Sequence, residues 1–367
     1  MYIQKSMRLL LSLLTVPLSL VWYTIAVVRG KLFDWGILHS ESFEVPTICV
    51  GNLAVGGTGK TPHVEYILKL LHEQGYRVAM LSRGYGRKTK GFVLADEAKT
   101  ALEIGDEPYQ IRQNCPFSTV AVCEKRVDGI RQLLNLTPRP EVIVLDDAYQ
   151  HRYVKAGLNV LLTDASRLYT NDHVLPWGRL REPARAACRA DLVVATKCAP
   201  EQRPVLEILP GQILYYSRIC YTENYPIDPA ALRCPVSYAG RTVLLIAGIA
   251  NPRPLQQYLK QQGAVRIQVL AFADHHDFTA DDYDRIHRVW KQIKAEAGSE
   301  QGPIAVTTQK DASRFLNKLQ VLETDLKSHL YVQPISVVLT NARAGQETFN
   351  FKIVEYVSKN SRDGRVD

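Results

Sequence analysis

The sequence holds 367 residues, 46% hydrophobic and 22% charged, which excludes a disordered chain, a collagen-like repeat or a coiled coil over most of its length. Lysine and arginine outnumber aspartate and glutamate 45 to 37, a net charge of +8 that permits an anionic partner: nucleic acid, a phosphorylated ligand or an anionic membrane face. The seven cysteines (49, 115, 123, 188, 198, 220 and 234) are odd in number, irregularly spaced and free of C-x-x-C, which argues against a disulfide framework and a Cys-rich zinc site and fits a reducing compartment.

Residues 9–28 carry no charge; Lys5 and Arg8 precede them, and Arg29 and Lys31 follow. Such a run is long enough to cross the hydrocarbon core, although Ser12, Thr15, Pro17, Ser19 and Thr24 lower its apolarity and no small-residue cleavage site ends it. A bilayer-spanning helix, an interfacial helix and a buried core helix all fit, and a membrane-embedded or membrane-lying anchor is preferred. No second run of this length follows, so the remainder is expected to be soluble.

Beyond the anchor, short apolar runs alternate with helical patterns. Strands are expected at 47–50, 78–82, 118–122, 142–145, 159–163 and 192–196. Val64, Ile67, Leu68 and Leu71 share one helical face, and Ile130, Leu133 and Leu134 suggest another helix. The pattern resumes with strands at 242–247, 266–271, 304–307 and 330–338. Helices are expected at 255–262 and from the Thr279 cap to about 297. The β-prone stretch 212–222 and the Pro-containing stretch 224–235 lie between the two series, and a domain boundary is placed there. Alternation of this kind predicts an α/β fold, a mostly parallel sheet with helices on both faces.

Ala54-Val55-Gly56-Gly57-Thr58-Gly59-Lys60-Thr61 matches a phosphate-binding loop, with Ala54 where the stricter pattern has Gly. It sits between an expected strand and an amphipathic helix. Glycines there let backbone N–H groups surround phosphate oxygens at a helix N-terminus. Lys60 is expected to reach the β- and γ-phosphates, and Thr61 to place its hydroxyl on magnesium. Asp146 and Asp147, at the end of the apolar run 142–145, are candidates for the second magnesium-positioning acid. Ala195-Thr196-Lys197-Cys198-Ala199 begins like a guanine-recognition motif but lacks its Asp, so ATP is preferred over GTP.

Further polar clusters follow or nearly follow expected strands, where open α/β sheets bind ligands. They are Ser82-Arg83-Gly84-Tyr85-Gly86-Arg87, Gly105-Asp106-Glu107-Pro108, Glu124-Lys125-Arg126, Asp146-Asp147-Ala148-Tyr149-Gln150-His151, Leu180-Arg181-Glu182-Pro183 and Phe272-Ala273-Asp274-His275-His276. In combination with the phosphate loop they resemble the tetraacyldisaccharide 4′-kinase family of lipid A biosynthesis, from the apolar N-terminus to about residue 310. Ala148-Tyr149 stands where Gly-Phe is commoner, and Leu-Pro-Trp-Gly at 175–178 replaces the more frequent Leu-Pro-Ala-Gly.

The resemblance implies transfer of the ATP γ-phosphoryl group, with Mg2+, to the 4′-hydroxyl of an acylated glucosamine disaccharide 1-phosphate at the cytoplasmic face of a bacterial inner membrane, forming lipid IV-A. It implies Asp106 as the base at the acceptor hydroxyl and His275 as its orienting partner, with Lys60 the third catalytic group. Arg83, Tyr85, Arg126, Gln150 and His151 are assigned to the lipid head group, and Arg181 and Glu182 to the nucleotide site or to a structural role. It also implies a P-loop domain over 31–215 after a membrane-associated helix at 1–30. A smaller α/β domain over 216–345 follows, joined by linker strands at 212–222 and 330–338, and 346–367 form a C-terminal helix or tail. No nucleic-acid partner is expected, and the chain is expected to be a monomer. The competing reading is a membrane-associated P-loop ATPase or switch of the partitioning or metallochaperone type; those carry a Lys at the start of the loop, where Val55 stands here.

Overall fold

The computed structural model describes residues 2–96, 99–199, 203–228, 230–232, 234–274, 276–296, 301–316 and 318–361, with side chains from residue 15 onward. Along the chain come α1 (Tyr2–Asp34), β1 (Thr47–Asn52), α2 (Lys60–Glu73), β2 (Val78–Ser82), β3 (Val93–Leu94), α3 (Ala101–Ile104), α4 (Asp106–Asn114), β4 (Thr119–Val122), α5 (Arg126–Leu134), β5 (Val142–Asp146), β6 (Leu158–Asp164), β7 (Leu192–Thr196) and β8 (Ile213–Tyr221). Then follow β9 (Tyr225–Pro226), β10 (Thr242–Ala247), α6 (Arg253–Gln261), β11 (Arg266–Ala271), α7 (Ala280–Glu296), β12 (Ile304–Thr308), α8 (Gln309–Leu316), α9 (Thr324–His329), β13 (Leu330–Gln333), β14 (Ile335–Asn341) and α10 (Phe349–Asn360).

These strands form two sheets. The first has nine strands in the order β14-β8-β7-β6-β1-β5-β2-β4-β3, parallel except at its edges, where β14 and β3 run antiparallel to their neighbours. The second has five, β11-β10-β12-β13-β9, with only β9 antiparallel. The central strands of the first sheet are buried along their whole length, which is why they read as unbroken apolar runs rather than as alternation. Ile48 and Val50 face one way, toward Val64, Ile67, Leu68 and Leu71 of α2 and Phe349, Ile353 and Val357 of α10. Cys49 faces the other way, in a cluster with Ile130 and Leu133 of α5. The fold class is therefore the mostly parallel α/β arrangement that the sequence pattern predicts, and each cysteine is a free thiol.

One expected strand is corrected. Residues 330–338 are not a single strand: Pro334, which has no N–H to give a ladder, separates β13 in the five-stranded sheet from β14 in the nine-stranded one. The chain crosses between sheets a second time after β8. At that crossing Thr222 donates its N–H to the Pro334 carbonyl (3.2 Å), and buried Gln333 donates its amide to the Thr222 carbonyl (2.6 Å). Strand β8, through which the expected 215/216 division passes, pairs along its length with β14.

Candidate active site

The loops at the C-terminal ends of β1, β2, β4, β5 and β7 converge on one edge of the nine-stranded sheet, and the phosphate loop lies at their centre because β1 is the middle strand. Gly59 caps α2 at φ +84°, a left-handed conformation that a side chain resists, so the chain can turn from the loop into the helix at Lys60. The loop is braced from beneath. The Asn52 amide donates to the Ala54 carbonyl (2.7 Å) and to Thr58 Oγ1 (2.8 Å), and Thr196 Oγ1 donates to the Thr58 carbonyl (2.8 Å). Lys197 donates to the Gly57 carbonyl and pairs with Asp164 at 2.7 Å. Val55 N–H donates to the Arg179 carbonyl (2.7 Å), and Arg181 N–H to that of Leu53 (2.7 Å).

The sequence reading missed these braces. By sequence, Thr196-Lys197 is only a fragment of a base-recognition motif. In the structure it instead holds residues 57 and 58 of the loop, with Lys197 itself at φ +58°.

His63, one turn into α2, is fully buried between the Gly59 carbonyl (Nδ1, 2.7 Å) and Ser217 Oγ of β8 (Nε2, 2.8 Å). A carbonyl can only accept, so Nδ1 carries the proton and Nε2 accepts from the serine hydroxyl. Burial pushes its pKa down to about 4, against a smaller upward pull from the Gly59 carbonyl.

Asp146 and Asp147, adjacent in sequence, have opposite surroundings. Asp146 is wholly buried at the end of β5; one oxygen accepts from Ser82 Oγ (3.1 Å), and Oδ1 has no hydrogen-bond partner among the described residues. Burial first, then the charges of Glu107 and Asp147, push its pKa up to about 7 despite Lys60 and Ser82. A buried carboxylate with an orphaned oxygen beside a phosphate loop fits a site for a cation. Asp147, at φ +48°, pairs with Lys60 Nζ (3.6 Å) and with Arg181 Nη1 (3.1 and 3.0 Å). Burial opposes its ionisation, but Lys60, Arg181 and Arg126 outweigh burial and hold the carboxyl below its usual range. Among the described residues no three His, Cys, Asp or Glu groups cluster to hold a metal by themselves. A phosphate-bound magnesium needs fewer protein ligands, and the Thr61 hydroxyl at the start of α2 and the Asp146 carboxylate at the end of β5 are the groups that could supply them.

The five expected head-group residues lie on the loops after β2 and β5 and at the start of α5. Arg126 begins α5, almost fully buried, donating to the carbonyls of Cys123 (3.0 Å) and Glu124 (3.1 Å), while its N–H donates to His151 Nε2 (3.3 Å). Burial first, then Arg126, Arg29 and Arg83, press the His151 pKa down to about 4. Gln150 donates to the Asn52 carbonyl (2.9 Å), and its own carbonyl accepts from Arg29 of α1 (3.2 Å). Arg83 is exposed after β2 and close enough to act on both Arg126 and His151. Tyr85, in the same loop, is 78% exposed.

Asp106 is the first residue of α4. Gly105 precedes it at φ +94°, and a Cβ there would stand 2.9 Å from the Tyr85 carbonyl, so the helix start is pressed against the loop after β2. The Asp106 carboxylate accepts two bonds from Arg314 of α8, at 3.1 Å from Nε and 2.5 Å from Nη2. His275 lies outside the described residues. Its neighbour His276 is engaged with Asp282 (2.7 Å) and stacked on Phe272. No signal in the sequence pointed to Arg314. Glu182 pairs with Arg189 rather than facing the phosphate loop's lysine.

Helix α1 leans on the same edge. Ser19 Oγ donates to the Val174 carbonyl (3.1 Å) and accepts from Trp177 N–H (2.8 Å), and Trp22 Nε1 donates to the Arg181 carbonyl (3.0 Å). Its stretch Thr15–Asp34 is long and apolar enough to cross a membrane, and only 11% of the span's apolar window is buried, so the core-helix alternative is not what the structure shows. Leu18, Val21, Trp22 and Ile25 join Leu175 and Pro176 around an open apolar hollow of about 500 Å³.

Comparison with known proteins places this geometry. The family model for tetraacyldisaccharide-1-P 4′-kinase matches residues 11–352. Among curated relatives, the tetraacyldisaccharide 4′-kinase of Bacteroides thetaiotaomicron is 44% identical, covering 95% of this chain and 93% of that protein. The enzyme of the same name from Flavobacterium johnsoniae is 42% identical over 96% and 98%. A crystal structure of LpxK from Aquifex aeolicus in complex with ATP superposes with a TM-score of 0.72 at 28% identity, covering 94% of this chain and 98% of that one. The chain belongs to the tetraacyldisaccharide-1-P 4′-kinase family.

Proposed function

We propose that this chain transfers the γ-phosphoryl group of ATP to the 4′-hydroxyl of a tetraacylated glucosamine disaccharide 1-phosphate. The observation that carries the reading is a braced phosphate loop, with Lys60 held by Asp147, in a chain matched to the kinase family from residue 11 to 352. Phosphoryl transfer passes through a loose transition state, so positioning and charge neutralisation supply most of the acceleration. The N–H groups of the loop and Lys60 hold the β- and γ-phosphates. Asp147 stands 3.6 Å from the Lys60 ammonium and holds it at the loop, where it can reach phosphate oxygens. Magnesium, held by the Thr61 hydroxyl and Asp146, supplies further charge to those oxygens when bound.

Asp106 orients the acceptor hydroxyl and takes its proton late, when the bond to phosphorus has largely formed. His275 is its orienting partner. Arg83, Arg126, Gln150 and His151, with Tyr85, face the anionic sugar head group, and the apolar hollow beside α1 receives acyl chain. The exposed apolar face of α1 seats the enzyme on the cytoplasmic face of the inner membrane, as a monomer. The unit built on the nine-stranded sheet and the smaller unit built on the five-stranded sheet meet across the acceptor site.

The test is incubation with ATP, magnesium and an acylated disaccharide 1-phosphate, scored by mass and by the position of the added phosphate. Addition at the 4′-oxygen supports the reading. ATP hydrolysis without lipid phosphorylation, with nucleotide-dependent dimerisation, would support the P-loop switch instead.

A further inference from the structure

Helix α8 belongs to the five-stranded side of the molecule and lies along α4, which carries Asp106. It touches α4 at both ends. Gln309 donates to Asn114 Oδ1 (3.1 Å) at the end of α4, and Arg314 clasps Asp106 at its start. Asn114 and Gln110 in turn donate to buried Glu65 of α2 (2.9 Å each), the helix that begins at the phosphate loop. The Asp106 helix is therefore strapped between the phosphate-loop helix and the second sheet.

Arg314 holds two carboxylates at once, and they differ. Asp311, 3.2 Å from Nη1, is fully buried and is itself held by the Gly248 N–H (2.9 Å) and Thr308 Oγ1 (2.7 Å). Asp106 is 24% exposed, whereas Arg314 is 9% exposed. Asp311 is thus locked from its own side of the molecule, and Arg314 reaches from it to the more exposed Asp106. A buried guanidinium that lost its only counter-ion would be strongly destabilised. Asp311 removes that penalty, so Arg314 can loosen its hold on Asp106 without becoming an unpaired buried charge.

We propose that Arg314 is a positioning residue for phosphoryl transfer. From α8 it holds the Asp106 carboxylate in place through two hydrogen bonds, so that the acceptor base is complete only while the two sheets are in contact. The inference rests on the reading of Asp106 as the base. In a reaction with a loose transition state and late proton transfer, fixed geometry at the acceptor contributes more than the strength of the base.

The test uses the full chain in mixed micelles with ATP, magnesium and acylated disaccharide 1-phosphate, and compares Arg314→Met, Arg314→Lys, Asp106→Asn and the double variant Asp106→Asn/Arg314→Met. Arg314→Met is expected to lower kcat about 100-fold while KM for ATP stays within about twofold, because the phosphate loop is untouched. Arg314→Lys keeps the charge but not the two-bond clasp, and recovers part of kcat. It also serves if the Met variant fails to fold. The double variant should be no slower than Asp106→Asn alone. If Asp106→Asn is inactive while folded Arg314 variants turn over at the normal rate, or if the losses are additive, the positioning role is refuted and the base reading survives. If Asp106→Asn itself turns over normally, the base reading fails instead.

Discussion

His63 makes the phosphate loop acid-sensitive in a way that can be measured as stability. Its ring is buried and neutral, and its pKa of about 4 lies below the ordinary histidine value of 6.5. Between those values the unfolded chain takes a proton that the folded chain refuses, so folding weakens as pH falls from 6.5 and the loss is complete below 4. The gap, at about 1.4 kcal/mol per pH unit, amounts to about 3 kcal/mol. Asp146 works in the opposite direction. Its pKa is raised to about 7, so the folded state takes up a proton first and gains stability on acidification toward the ordinary value of 3.8.

The two effects separate in a comparison with His63→Asn. That amide can still donate to the Gly59 carbonyl, but it does not titrate and it leaves Ser217 Oγ unpaired, costing about 1–3 kcal/mol at neutral pH. Urea unfolding from pH 7 to pH 4.5 should show the wild-type advantage at pH 7 shrinking by most of 3 kcal/mol, to nothing or to a reversal, while the Asp146 contribution cancels in the difference. A wild-type advantage that stays constant across the range would refute a buried, neutral His63 beneath the loop.

Lys60→Ala and Thr61→Ala should each lower lipid phosphorylation by about 100-fold or more, because one removes the loop's cation and the other a magnesium ligand; near-normal turnover by either would sink the nucleotide-site assignment. Deleting residues 1–28 should shift much of the protein from membranes to the soluble fraction and lower activity on bilayer-embedded substrate, since the deletion removes the exposed apolar residues of α1; continued sedimentation at moderate salt would assign attachment to the basic surface or the acyl-binding hollow. Asp106→Ala should abolish transfer yet keep ATP affinity, with His275→Ala costing less and the double variant little worse than Asp106→Ala alone; additive losses would mean independent roles. His276→Ala should chiefly cost local stability, because His276 is already committed to Asp282 and Phe272, and a larger kinetic loss there than at His275 would move the partner role to it.

What the sequence made legible here follows from range. The strands 78–82, 192–196 and 242–247 were readable to the residue because burial on both faces writes a strand as a nearly unbroken apolar run, and the phosphate loop because its chemistry lies within eight consecutive residues. Pro334 was equally visible, but the run 330–338 is apolar on either side of it. Only the partner strands show that β13 and β14 belong to different sheets.

Arg314 was illegible for a deeper reason. The sequence pattern singles out no helix around it, and α8 appears only in the structure. The partner of Arg314, Asp106, lies 208 residues away, on an element packed against it only once both sheets exist. The same holds for Lys197, 140 residues from the Gly57 carbonyl that it grips, and for His63, 154 residues from Ser217. Each of these long-range contacts joins the phosphate loop or the Asp106 helix to something outside it. The local motif thus specifies which atoms can touch ATP. The distant braces decide whether those atoms are held in place, and in Arg314 they give the second sheet a direct grip on the Asp106 carboxylate.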